Sequence, residues 1–334
     1  MADVQFSQEL RQILDRIDMS RLKGKVAIKV HFGERGCKTY MDPSIVKAVY
    51  DKVSEKHEAA LVECNVLYKG SRTIASEHIR LAKEHGFDFA PIDILDGEMG
   101  DDEIKVPVND GLVDDAKLGK GLEYYDSMVV ISHFKGHIAA GFGGALKNIG
   151  MGLGSRAGKL HMHSDVNPYI TEDLCRGCGI CAEKCNQDAI TIVDGVATID
   201  EARCNGCAMC IAVCPHGAVK VPWGGSTNEA LQKKTIDYAD AVMKTVGSEN
   251  MVFINLLHDI TEECDCVGQV QKPMMENIGF LLSNDPVAID KASLDLAEKN
   301  SDGAFGRFNN VDNDVQVDYA AEKGIGEKSY KIIE

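Results

Sequence analysis

The chain has 334 residues, 26% charged and 44% hydrophobic, enough for one large domain and a small one and without the bias of a disordered, collagenous or coiled-coil sequence. Its formal net charge of −16 excludes nucleic acid as a partner, because a phosphate backbone is held by concentrated Lys and Arg. The N-terminal MADVQFSQEL lacks the apolar core of a signal peptide, and the runs near Met128–Ile131 and Met251–Leu257 are too short to span a bilayer.

A cytoplasmic protein with no membrane span is therefore expected, in which twelve cysteines read as metal ligands or redox groups rather than disulfides. In chain order, short apolar runs predict strands over 25–31, 59–64, 127–133, 251–257 and 278–283. Helices are predicted over 43–53, which opens on Pro43, over 76–84, which ends before Gly86, and over 286–298, which opens on Pro286. This alternation implies an α/β fold with a mainly parallel sheet and flanking helices. The pattern stops over 167–224, where cysteine spacing dominates, and then resumes. The expected organisation is an α/β domain built from 1–166 and 225–334, interrupted by a small α+β insert.

The insert contains the one visible repeat. Cys175, Cys178, Cys181 and Cys185 recur 29 positions later as Cys204, Cys207, Cys210 and Cys214. Each half reads C-x2-C-x2-C-x3-C, in which three thiolates reach three corners of one iron-sulfur cube and the fourth ligand comes from elsewhere. Zinc would instead pair two well-separated C-x2-C units around a tetrahedron. The runs resemble those of two-cluster bacterial ferredoxins, whose fourth cysteines are exchanged. That resemblance assigns Cys175, Cys178, Cys181 and Cys214 to one [4Fe-4S] cluster, and Cys204, Cys207, Cys210 and Cys185 to a second. Cys214 is followed by Pro215, as in those proteins, whereas Cys185 is followed by Asn186, which predicts an altered turn there.

Outside the insert, five segments carry a wider resemblance: Lys29–Glu34, Tyr68–Arg72, Ser132–His137, Cys264–Cys266 and Asp285–Asp290. In combination the chain resembles the iron-sulfur proteins of the domain-of-unknown-function family numbered 362, which implies a fold and a cofactor but no reaction. More distantly, the stretch from His137 to Lys147 resembles the catalytic domain of nickel-pincer lactate racemases, where a His precedes a glycine-rich turn and a Lys carries the cofactor. His163, sixteen residues on, matches the spacing of their nickel-binding His, but no His stands near Ser71-Arg72, where a further acid/base group would fall. The resemblance makes His137, Lys147 and His163 candidate catalytic residues, and Gly141, Gly143 and Gly144 candidate cofactor-binding ones.

The residues by themselves leave alternatives open. Seven glycines between Gly141 and Gly158 either expose N–H groups to an anionic ligand or let a helix pack tightly on the sheet. His31, His133 and His137 stand at strand ends facing one crevice, where they converge with Glu34 and Lys147 or are structural. Cys264 and Cys266, with His258 and Asp259 upstream, are an additional metal or redox site or an inert pair on one side of an extended segment. Cys37 and Cys64 read as unligated. The leading function is an oxidoreductase or oxidoreductase subunit, in which the clusters exchange electrons between a redox partner protein and a small-molecule substrate or an additional metal or organic cofactor in the crevice. The alternatives are a ferredoxin whose α/β domain docks a partner, and a non-redox metal or pincer-type enzyme with structural clusters.

Overall fold

Apolar strands alternate with capped helices, and the computed structural model, which describes residues 1–334, assembles them into an eight-stranded sheet covered on both faces. In chain order the strands are β1 (Ala2–Ser7), β2 (Lys25–Lys29), β3 (Glu58–Glu63), β4 (Ile92–Ile94), β5 (Ser127–His133), β6 (Met251–Leu257), β7 (Gly279–Ser283) and β8 (Tyr330–Ile333). They lie in the order β8-β1-β7-β6-β5-β2-β3-β4, and only β7 runs antiparallel to its neighbours. This is the α/β class, mainly parallel, that the sequence implies.

Period-two alternation sends successive side chains to opposite faces. Met128 and Val130 enter a cluster of 43 buried apolar residues under helices Ala145–Leu153, Asn228–Val246 and Pro286–Asn300. Val129 and Ile131 enter a second cluster of 24 under helices Pro43–Ser54 and Ala75–Glu84. The helix starts follow local chemistry. Asp42 accepts the Ser44 N–H at 2.8 Å ahead of Pro43, and Asp285 accepts those of Val287 and Ala288 at 2.9 Å ahead of Pro286. No helix is long and apolar enough to cross a membrane.

Several elements have no counterpart among the sequence-predicted ones, among them β1, β4, β8 and helices Ala145–Leu153 and Asn228–Val246. Helix Asn228–Val246 escapes because its buried face carries Lys234 and Asp237, neutralised by the distant Asp165 and Lys323, and Asp240, paired with Lys244 four residues on, so no clean apolar stripe marks it. His31 also lies beyond its strand, which ends at Lys29.

The segment of residues 167–224 builds its own small cluster of apolar residues and cysteines, joined by Leu67 and Leu160 from the larger part. Its first and last strands, Tyr169–Ile170 and Val219–Lys220, pair with each other, so the chain leaves and re-enters at one place. The 29-residue repeat is also a repeat of backbone conformation. Gly177 and Gly206 are left-handed (φ 58° and 70°), as are Asp188 and Gly217 (φ 47° and 59°). The altered turn expected after Cys185 therefore does not occur, because Asp188 adopts the conformation that glycine takes after Cys214.

Candidate functional site

The connection leaving β2 runs to β3 on one side, and that leaving β5 runs to β6 on the other. Such a switch point opens a crevice at the carboxyl ends of the strands. A cavity of about 500 Å³ lies there, lined by His31 after β2, Ser132 and His133 at the end of β5, and Lys135 and His137 just beyond. Lys147, His163, Cys264 and Cys266 also line it, as does Trp223 from the end of the cysteine-rich segment.

The walls of this crevice are ionic and mostly paired. Lys29 meets Glu63 at 3.0 Å with both side chains buried, and donates to Asn148 at 2.7 Å; burial pulls the Lys29 ammonium below its ordinary value. Arg72 contacts Glu34 (3.3 Å), the Tyr68 hydroxyl (2.6 Å) and His31 Nε2 (2.8 Å). Gly33 N–H faces the other nitrogen of His31, and burial together with Arg72 holds that ring well below the usual imidazole range. Asp265 accepts from His133 Nδ1 at 2.9 Å and from Lys135 at 3.1 Å, and His133 Nε2 donates to the carbonyl of His258 at 2.8 Å. Both ring nitrogens of His133 thus face acceptors. Asp265 is buried, yet His133 and Lys135 bring its carboxyl down to about 2.

Lys147 differs from its neighbours. Lys135 pairs with Asp265 and Lys159 donates to the carbonyl of Gly154 at 2.7 Å, whereas the Lys147 ammonium has no such partner and sits among His137, His163, Cys264 and Cys266. His137 Nδ1 accepts the N–H groups of Ala139 and Ala140 (3.2 and 3.0 Å), which leaves the proton on Nε2. Burial and the Lys147 charge hold His137 well below its ordinary range. His163, edge-on to the Trp223 ring at 4.8 Å, is pushed down to about 3 by burial and by Lys147 and Lys159.

His137, Lys147 and His163 therefore line one cavity, together with Gly143 and Gly144. Gly141 does not. It takes a left-handed φ of 76° and packs on Asn313. A side chain at Gly143 would meet only Lys135 and Lys147 carbons at 3.5 and 3.7 Å, whereas one at Gly144 would strike the Asp290 carboxylate at 2.3 Å. The glycine run therefore serves both purposes, with cavity floor at Gly143 and close packing elsewhere. Glu34 lies behind the wall and orients Arg72 rather than facing the cavity. His161 binds Tyr238 at 3.2 Å, and His258 lines a separate shallow cavity beside Phe280 rather than joining Cys264 and Cys266. Residues 29, 63, 72, 135 and 159 are not among the sequence-predicted site residues. The available signal was a charged residue at the end of an apolar strand, as at Lys29 and Glu63.

In the cysteine-rich segment, Cys175, Cys178, Cys181 and Cys214 surround one small cavity. Cys185, Cys204, Cys207 and Cys210 surround another. Backbone N–H groups of Ala197, Ala218 and Ala189 donate to the sulfurs of Cys175, Cys214 and Cys185 at 3.2–3.3 Å. Burial raises the Cys214 thiol, but the N–H groups of Val219 and Ala218 outweigh it and leave it below its ordinary value. Cys210 is pushed up to about 12 by burial and by Cys207 and Cys204. No group of three or more His, Cys, Asp or Glu side chains converges closely enough to hold a single metal ion. Lys69 ties the segment to the crevice wall by donating to the carbonyls of Cys214 and Pro215 at 2.8 and 2.9 Å.

Fold and site together define an α/β protein with an ionic crevice at its switch point and a cysteine-rich segment beside the mouth. Residues 26–295 match the family described as domain of unknown function DUF362, and the chain belongs to that family. No curated protein matches it. Among solved structures it is similar to the lactate racemase apoprotein from Thermoanaerobacterium thermosaccharolyticum, at 12% identity and a TM-score of 0.39, over 78% of this chain and 51% of that one. It is also similar to a structural-genomics target from Thermotoga maritima, at 9% identity and a TM-score of 0.40, over 94% of this chain and 58% of that one. The chain thus spans between half and three fifths of the length of these structures.

Proposed function

We propose that this protein is an iron-sulfur oxidoreductase or oxidoreductase subunit that exchanges electrons between a redox partner protein and an anionic small molecule held in the crevice. The observation that carries the reading is the sorting of eight cysteines into two sets of four around two cavities, each set taking three from one run and one from the other. Cys175, Cys178, Cys181 and Cys214 would hold one [4Fe-4S] cluster, and Cys204, Cys207, Cys210 and Cys185 the second. Each cluster, when bound, supplies a one-electron couple whose potential is tuned by hydrogen bonds to sulfur. The N–H donors on Cys175, Cys185 and Cys214 are of that kind.

In the crevice, the free ammonium of Lys147 attracts the ligand's negative charge, and the neutral rings of His137 and His163 offer hydrogen bonds without adding charge. The buried pairs Lys29–Glu63 and Lys135–Asp265 hold the walls in place. The location supports coupling between the two parts, since His163 and Trp223 flank the cysteine-rich segment and line the same cavity as Lys147.

Anaerobic purification followed by metal and sulfide analysis tests the reading. About eight iron and eight acid-labile sulfide per chain are expected, with a broad visible absorption bleached by dithionite. Zinc at about two per chain with no such absorption refutes it.

A further inference from the structure

The crevice contains a nucleophile that this reading does not use. Cys264 and Cys266 flank Asp265 in a turn closed by the Val267 N–H on the Cys264 carbonyl. Asp265 points to His133 and Lys135, while the two cysteines line the cavity. The loop is held firmly. Glu34 N–H donates to the Asp265 carbonyl at 2.9 Å, Val267 N–H to that of Cys264 at 2.9 Å, and the Tyr68 hydroxyl lies 3.2 Å from that of Cys266.

We infer that Cys264 and Cys266 form a redox-active dithiol that reduces an anionic organic disulfide bound in the crevice. Its reductant rests on the iron-sulfur reading; its geometry does not. The two sulfurs are unequal. The neighbouring Cys266 thiol, with the Lys147 and Lys135 ammonium groups, holds Cys264 well below the usual thiol range, while Cys266 is held above it. Cys264 thiolate attacks one ligand sulfur, the ligand S–S bond breaks, and the first ligand thiolate leaves beside Lys147. Cys266 then loses its proton to that leaving thiolate and attacks Cys264, so the second ligand thiolate departs and a Cys264–Cys266 disulfide forms. Returning the disulfide to the Cys264 thiolate and Cys266 thiol takes two electrons and one proton, the electrons delivered singly by an iron-sulfur donor.

Oxidised glutathione is the probe, applied to the anaerobically purified full chain and read by mass spectrometry of the peptide carrying both cysteines. The wild type is expected to lose about 2 Da on that peptide, reversibly with dithiothreitol, as two hydrogens are removed. Cys266→Ala should trap one glutathione on Cys264, and Cys264→Ala should react at least about tenfold more slowly. Lys147→Ala should slow trapping about tenfold through loss of the ligand's counter-charge. Two thiols that stay freely alkylated after exposure to the probe overturn the inference, and so does a Cys264→Ala variant that traps glutathione as fast as Cys266→Ala does. Iron and sulfide are measured on the same samples. Unchanged iron in both variants supports a pair separate from the clusters, and iron loss in either overturns it. Low iron in the wild type with the disulfide still forming overturns the iron-sulfur reading and leaves the pair standing.

Discussion

Replacing Asp265 by Asn removes the one carboxylate that faces both His133 and Lys135. The bonds lost are charge-assisted, at 2.9 Å to His133 and 3.1 Å to Lys135, and the carboxylate is buried. The fall of its folded pKa from the ordinary 3.8 to about 2 corresponds to roughly 2 kcal/mol favouring the charged form. Asn keeps the volume but leaves the buried Lys135 ammonium without a counter-charge, so a total loss of about 3–5 kcal/mol is expected. Urea unfolding followed by far-ultraviolet circular dichroism at neutral pH measures it. The same carboxylate produces a pH signature. Its folded pKa is depressed, so its contribution is present above 3.8 and is lost as the pH falls toward about 2; the variant should lack that part of the acid sensitivity. Adding Lys135→Met to Asp265→Asn should recover part of the loss by removing the orphaned cation. A single variant within about 0.5 kcal/mol of the wild type, or a double variant no better than the single, refutes the reasoning.

Cys214→Ser should damage the cluster held by Cys175, Cys178 and Cys181, and Cys185→Ser the other, as read by electron paramagnetic resonance; loss of the opposite cluster in each case refutes the crossed assignment. The His163 ring should titrate near 3 by NMR, and Lys147→Ala should raise that midpoint although burial remains the larger cause; a midpoint near the ordinary 6.5 in the wild type contradicts the buried, cation-flanked site. Because its folded pKa is depressed, His163 costs stability as the pH falls below 6.5 toward about 3, so His163→Gln should flatten the stability profile over that range. Gly150→Ala should destabilise by about 2–3 kcal/mol, since its Cβ would stand 2.2 Å from the Thr235 carbonyl oxygen, and a neutral effect in urea unfolding would show that the two helices part easily. Joining residue 166 to residue 225 through a short Gly-Ser bridge should leave a folded α/β protein without iron, because the excised ends lie side by side; an aggregated product refutes separability.

The α/β class and the two cysteine runs were legible from the sequence because both rest on short-range spacing, whereas the exchange of the fourth cysteines came from the resemblance to ferredoxins. Strands such as Ser127–His133 are continuous apolar runs, and a C-x2-C-x2-C-x3-C run places three cysteines within one loop. His137, Lys147 and His163 were legible for a similar reason, since they lie within one stretch of 27 residues. Tertiary structure alone decided what surrounds them. Asp265 meets His133 across 132 positions, Lys29 meets Asn148 across 119, and Arg72 meets His31 across 41, and no local pattern announces such partners. Helix Asn228–Val246 was hidden by the same cause, because Lys234 and Asp237 look solvated until Asp165 and Lys323 are in place. A buried charge is tolerated only beside its counter-charge, so in this chain the paired walls of the crevice, and Lys147 left unpaired among them, exist only once the sheet has brought distant segments together.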